Sequence, residues 1–250
     1  MKIVGKYILR IILFLVLISS LLYLFIEKLK NFYLTNQTLN SIIIFIITVG
    51  IIYILRQTLL LKNEYNWLIK STSSKQPSKL SVKSPNLLKY LDTFLKEHSG
   101  KFIFSQSAMK SIMESLDGRL TESREISRYL IGLTIFLGLL GTFWGLLETI
   151  NSVGITVSSL NFSEDTQRLF KVLKQGLEEP LSGMGTAFSS SLFGLGGSLI
   201  LGFLDLQSGQ AQNRFYNEVE EKLSQHTKFT LMNMDENDKK NLGPAYIESL

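Results

Sequence analysis

The sequence predicts an all-α membrane protein with four transmembrane helices, the last two extended into the cytoplasm as long helices. Three observations carry this. Charged residues make up only 19% of the 250-residue chain, hydrophobic residues 45%, and the mean hydropathy is positive at +0.18, whereas soluble domains carry about 25% charge. The charges are also segregated: Tyr129–Leu147 and Leu181–Leu204 contain none over 19 and 24 residues. Such runs match the roughly 20 residues a helix needs to cross a bilayer. Finally, the basic residues cluster in alternate connecting segments, as the positive-inside rule requires of a multi-pass chain.

The first apolar segment, about 8–26, follows Lys2, Lys6 and Arg10. A signal peptide has the same polarity, but no small-residue cleavage site follows; Glu27, Lys28, Leu29 and Lys30 do, so the segment reads as a retained anchor. The second covers 41–61, with its apolar centre at Ile42–Leu55 and Arg56 near one end, where a long side chain can snorkel to the headgroups. The third covers 129–150 and the fourth 181–206. Residues 1–61 thus form a membrane hairpin and 129–206 a second helix pair joined by a periplasmic loop at 151–180. Residues 62–128 carry twelve Lys and Arg, the first ten residues three, and the tail beyond Leu206 five. The loops 27–40 and 151–180 carry two and three, the latter with four acids. Both termini and 62–128 are therefore expected on the cytoplasmic side.

Outside the membrane segments the pattern stays helical. Met109, Ile112, Met113, Leu116 and Leu120 recur at three- and four-residue spacing, with no Pro or turn cluster before the third segment. Ala211, Phe215, Val219 and Leu223 repeat every four residues after the fourth, over a helix expected within 207–235. Asn86–His98 reads as a short helix. Ser71–Pro85, rich in Ser and Lys with two prolines, reads as a flexible linker, and 236–250 as a loose tail.

Several chemistries are excluded. The chain has no cysteine, and His98 and His226 lie far apart, so thiolate, iron–sulfur and HExxH-type metal sites are not expected. No phosphate-binding Gly-rich loop or catalytic triad occurs, so neither enzymatic activity, direct ATP use nor a cofactor is expected. The basic residues are spread over a loop without interleaved aromatics, which argues against nucleic acid. A transporter with internal repeats is disfavoured because the first two segments do not resemble the last two.

The first two segments are rich in Ile, Leu and Phe, suited to lipid. The third and fourth differ. Thr134, Gly138, Gly141, Thr142, Gly145 and Thr149 fall on one broad side of the third. The fourth carries Gly183, Gly185, Thr186, Ser189, Ser190, Ser191, Gly194, Gly196, Gly197 and Ser198. Small residues let membrane helices approach closely, so Gly138, Gly141, Gly145, Gly194 and Gly197 are expected at close helix contacts. The hydroxyls occur on more than one side of the fourth helix, so one side is expected to line a polar, hydrated path. Glu148, Asp205 and Arg56 all lie near the ends of their spans, so no carboxylate of this chain is expected at mid-membrane and a proton relay would need one from a partner.

Residues 137–145, Leu-Gly-Leu-Leu-Gly-Thr-Phe-Trp-Gly, and 183–195, Gly-Met-Gly-Thr-Ala-Phe-Ser-Ser-Ser-Leu-Phe-Gly-Leu, resemble the two pore-lining helices of the MotA/TolQ/ExbB proton-channel family. The resemblance covers about residues 128–210; over 1–125 only topology supports it. It implies a bacterial inner-membrane oligomer, typically a pentamer, around a single-span partner resembling MotB, TolR or ExbD, whose membrane Asp carries the ion. Thr142 matches the family's Gly-Thr threonine and Ser191 stands where the last helix has its threonine. Thr186 stands where TolQ- and ExbB-like members carry an acid, a departure from their pattern. The resemblance implies an ion path along Thr142 and Ser191, coupling H⁺ or Na⁺ flow to mechanical work; Thr186 joins them as a third candidate because its hydroxyl stands at bilayer depth in the fourth segment. An oligomeric scaffold without ion flux is the alternative reading.

Overall fold

The computed structural model describes residues 2–73, 85–97, 104–158 and 176–232. Among them the chain is all-helical, with six helices and no strand: α1 (Lys2–Leu24), α2 (Ile26–Thr35), α3 (Gln37–Ser73), α4 (Lys89–Glu97), α5 (Gln106–Ser158) and α6 (Glu178–Met232). Four of these, α1, α3, α5 and α6, are long and apolar enough to cross a membrane, as in a multi-pass membrane protein. Of the linker expected at 71–85, Ser71–Ser73 are the end of α3 and 74–84 lie outside the described residues, as do the tail at 236–250 and 159–175 of the expected periplasmic loop. The chain forms two compact units.

One unit comprises residues 7–57 and 124–209 and holds most of the apolar segments. The stretch between the first two apolar segments, read from the sequence as a loop, is helical: α2 continues from α1 after a break at Phe25. The sequence Glu27–Leu34 contains no Gly or Pro to stop it. The chain turns at Asn36, whose side-chain oxygen accepts the Leu39 amide at 3.1 Å and caps α3.

The directions of the helices follow from their contacts. Thr35 meets Gly185, Asn40 bonds Ser190, Ile47 lies against Gly197 and Gly50 against Leu201. Residue numbers rise together, so α3 and α6 run parallel. Gly138 meets Gly194, Gly145 meets Ala187, and Thr149 meets Gly183. These numbers run in opposite senses, so α5 and α6 are antiparallel. Parallel α3 and α6 with α5 reversed between them is the arrangement four successive crossings require. An apolar cluster of Ile11, Ile54, Leu201 and Leu204, joined by Ile131 and by the stacked rings of Phe14 and Phe203, ties all four long helices together. The charges Arg10, Arg56, Arg128 and Asp205 stand beside or within three residues of it on their own helices, so they gather at one end of the apolar segments.

The other unit comprises residues 1–6, 58–123 and 210–250, so far as they are described. Ile112, Met113, Leu116 and Leu120 of α5 and Ala211, Phe215, Val219 and Leu223 of α6 are buried in it, as their three- and four-residue spacing predicts. Leu61 and Leu68 of α3 and Leu91 and Leu95 of α4 are buried too. α4 is fixed by a long-range cap. The buried Glu64 carboxylate on α3 accepts the Asn86 amide at 2.6 Å and the Leu88 amide at 3.2 Å, satisfying donors that a helix start leaves unpaired. Arg119 donates to the Asn86 carbonyl from the other side. At the start of α5 the Ser105 hydroxyl accepts the Ala108 amide at 3.2 Å, a local cap.

Candidate functional site

The α5–α6 contact is built on residues without bulk. A Cβ placed on Gly138 would lie 3.0 Å from the Gly194 Cα and 3.3 Å from the Ser190 carbonyl oxygen. One on Gly145 would lie 2.6 Å from the Ala187 nitrogen and the Gly183 carbonyl oxygen. One on Gly194 would lie 2.6 Å from the Gly138 Cα. At Gly141 it would run into the Ser190 side chain and stand 2.6 Å from Leu39. At Gly197 it would meet Ile47, with Thr134 at 3.2 Å. All five glycines singled out from the sequence thus sit where two backbones, or a backbone and a neighbour's side chain, nearly touch. These contacts lie within one chain, so bulk there acts first on the subunit's own fold.

From Gly176, just before α6, the positions Pro180, Gly183, Ala187, Ser190, Gly194, Gly197 and Leu201 of α6 follow at alternating steps of four and three. That average of about 3.5 residues keeps one seam facing α5 over many turns. Hydroxyls stitch the same seam. Thr149 donates to the Gly145 carbonyl at 2.8 Å and lies 3.3 Å from the Pro180 carbonyl; Thr156 donates to Gly176 at 2.9 Å.

Asn40, which the sequence reading did not single out, organises the flank next to α3. It is 0% exposed. Its amide nitrogen reaches the carbonyls of Phe32 at 3.1 Å and Tyr33 at 3.3 Å and the Ser189 hydroxyl at 2.9 Å; its oxygen accepts Ser190 at 3.1 Å. Ser189 also donates to the Phe32 carbonyl. Phe32 and Tyr33 are in the last turn of α2, where carbonyls lack helical partners. One buried amide therefore closes α2, α3 and α6 together. Its signal in the sequence was a polar residue within the uncharged run 31–55, where a buried polar group must find partners.

The three proposed path residues separate. Each residue turns a helix by about 100°. Gly141 and Ser190 face one another across an antiparallel pair, so one step forward on each helix swings Thr142 and Ser191 to the same flank. One step back on α6 reaches Ser189, on the opposite flank, where Asn40 and Phe32 lie. Thr142 and Ser191 are both partly exposed, on the flank away from α3. The Thr142 hydroxyl donates to the Leu139 carbonyl at 2.6 Å, so its lone pairs point outward. Thr186 is different. It lies one turn before Ser190, is 5% exposed, and its hydroxyl is 3.3 Å from the Ser182 carbonyl. It belongs to the interior where α3 and α5 meet α6 and does not share the flank of the other two, because the parallel packing of α3 covers that side.

At the charged end, the Ser127 hydroxyl bonds the half-buried Asp205 carboxylate, with Arg128 and Arg124 nearby. Arg124 also lies 3.4 Å from the Gly209 carbonyl. Glu148 and Arg56 are exposed on their helices. Among the described residues no group of three His, Asp or Glu side chains could hold a metal ion. Comparison of the chain with protein-family models, curated proteins and solved structures found no match.

Proposed function

We propose that the chain is the ion-conducting subunit of a membrane motor of the MotA/TolQ/ExbB type, coupling proton or sodium flow to mechanical work. The observation that carries this reading is the pairing of Thr142 and Ser191 at one level of the α5–α6 pair, on the flank that α3 leaves open. Hydroxyl oxygens there offer acceptors without a fixed charge, which lets a cation pass without being trapped. In this reading several copies, five in the family's usual arrangement, surround the membrane helices of a MotB/TolR/ExbD-like partner. The partner's Asp carries the ion past Thr142 and Ser191. Thr186 acts as packing rather than as part of the path.

The orientation follows the basic residues. Arg10, Arg56 and Arg128 gather at one end of the apolar segments, and basic residues favour the cytoplasmic face. That end is cytoplasmic, with both termini and the continuations of α5 and α6, and the membrane is the bacterial inner membrane. The chain binds no cofactor or nucleic acid and catalyses no covalent step.

The test is ion flux in vesicles holding the chain and its partner. Thr142→Val keeps shape and removes the hydroxyl. Paired with Ser191→Ala it abolishes most flux while the oligomer persists, and Thr142→Ser is mild. Undiminished flux in the double variant refutes the path, and absence of flux in the parent chain leaves an oligomeric scaffold as the better description.

A further inference from the structure

On α6, Ser191 is followed at seven-residue intervals by Ser198 and Asp205. Seven residues are nearly two full turns, with a drift of only about 20°. The three side chains therefore share one stripe, at intervals of about 10 Å along the axis. The stripe runs beside the α5 seam on the flank away from α3, and all three residues are partly exposed. The outermost apolar side chains of the same helix lie beyond it, Leu195 at 53% and Leu199 at 75% exposure. The Ser198 hydroxyl donates to the Leu195 carbonyl at 2.8 Å, as Thr142 does to Leu139. The Ser198 and Thr142 hydroxyl protons are thus engaged on their own helices, so their oxygens present lone pairs outward. At the end of the stripe stands a carboxylate that is held in place: the Ser127 hydroxyl bonds it, and Arg124 and Arg128 of α5 flank it. The other two arginines at that end, Arg56 of α3 and Arg10 of α1, are exposed.

We propose that Ser198 and Asp205 continue the Thr142–Ser191 path to the arginine-flanked end of the apolar segments, with Asp205 as the terminal carboxylate that receives the cation. This rests on the ion-path reading given above. The acceptors are too far apart for direct transfer, so the stripe must be hydrated over its length. Asp205 supplies the carboxylate at that end, and its bond to Ser127 holds it in place between the guanidinium groups.

The chain contains no cysteine, so single cysteines report without background. Ser191→Cys, Ser198→Cys and Leu199→Cys are made in the full-length chain in native membranes. Each is treated with a cationic methanethiosulfonate, the trimethylammonium-ethyl reagent, and an anionic one, the sulfonatoethyl reagent. Only a hydrated thiol ionises and reacts, so Ser191→Cys and Ser198→Cys are expected to react at least about tenfold faster than Leu199→Cys. In the Ser198→Cys chain, Asp205→Asn is expected to lower the cation-over-anion rate ratio about fivefold, the effect of one charge about 10 Å away in a partly hydrated medium. Asp205→Glu keeps the ratio. A reactive Ser191→Cys with an inert Ser198→Cys, or a ratio unmoved by Asp205→Asn, overturns the continuation and leaves the Thr142–Ser191 path standing. Inert cysteines at both serines take the path reading down as well.

Discussion

Gly141→Ala is the sharpest test of the α5–α6 packing. The added methyl group would collide with the Ser190 side chain and stand 2.6 Å from Leu39. The Leu39 methyl group is the tip of a flexible side chain and can shift, but Ser190 cannot. Ser190 is fully buried and donates to Asn40, and Leu39 sits in the first turn of α3 beside the Asn36 cap. Overpacking of this kind costs about 1–3 kcal/mol. Displacing Ser190 adds the loss of a buried hydrogen bond, about 0.6 kcal/mol on average between membrane helices. The alanine gains roughly 0.5–1 kcal/mol over glycine from helix propensity, so the net loss is about 1–3 kcal/mol. Gly196→Ala is the control: the same helical gain applies, but nothing lies within 4 Å of the new Cβ. Reversible unfolding in bicelles by SDS titration, followed by circular dichroism, measures both. The difference between the two variants is expected at about 2–4 kcal/mol, the overpacking and hydrogen-bond costs together. Ser190→Gly in the Gly141→Ala chain should recover part of the loss. Equal stability of Gly141→Ala and Gly196→Ala would refute the seam.

Three further outcomes are expected. Asn40→Leu strands Ser190 and the Tyr33 carbonyl, while Ser189 and the Phe32 carbonyl keep their bond to each other, and at about 1 kcal/mol or more for each buried group left unpaired it should cost as much as Gly141→Ala in the same titration; no loss would mean that α2 is held by something else. Glu64→Ala should cost about 1–3 kcal/mol through loss of the α4 cap, read as faster amide exchange over Leu91–Leu95, with Glu64→Gln milder because one acceptor oxygen remains; unchanged exchange in Glu64→Ala would show that the apolar contacts of α4 suffice. A reporter fused after Ser74 should read as cytoplasmic and one within 155–165 as periplasmic, and the opposite result at both positions would reverse the orientation drawn from the arginines.

Much of the architecture was legible because it depends on local periodicity and on bulk transfer to a bilayer. The four apolar helices follow from charge-free length alone. The buried face of α6 beyond Leu206 follows from Ala211, Phe215, Val219 and Leu223, since one turn of helix returns each fourth residue to nearly the same direction. The small residues of the third and fourth segments were visible as candidates for close contact, because absence of a side chain is a property of composition. What they touch was not. That Gly141 meets Ser190, and that the closest approaches fall within one chain, depends on which helices neighbour one another.

The same distinction divides the candidate site. Thr142, Ser191 and Thr186 are equivalent as sequence, three hydroxyls in apolar runs. Packing separates them, because α3 runs parallel to α6 and covers the flank that holds Ser189 and Thr186, leaving Thr142 and Ser191 on the other. Asn40 carries no periodic signal. Its importance comes from being placed, by the turn at Asn36, against unpaired carbonyls of α2 and two serines some 150 residues away. Glu64 is likewise an ordinary helical glutamate until α4 brings two unpaired amides to its carboxylate. The identity of each helix is a local matter, set by the cost of burying or exposing its own residues. Tertiary structure alone decided which polar groups meet, because a hydrogen bond between distant residues is set by where the chain returns and not by what precedes it.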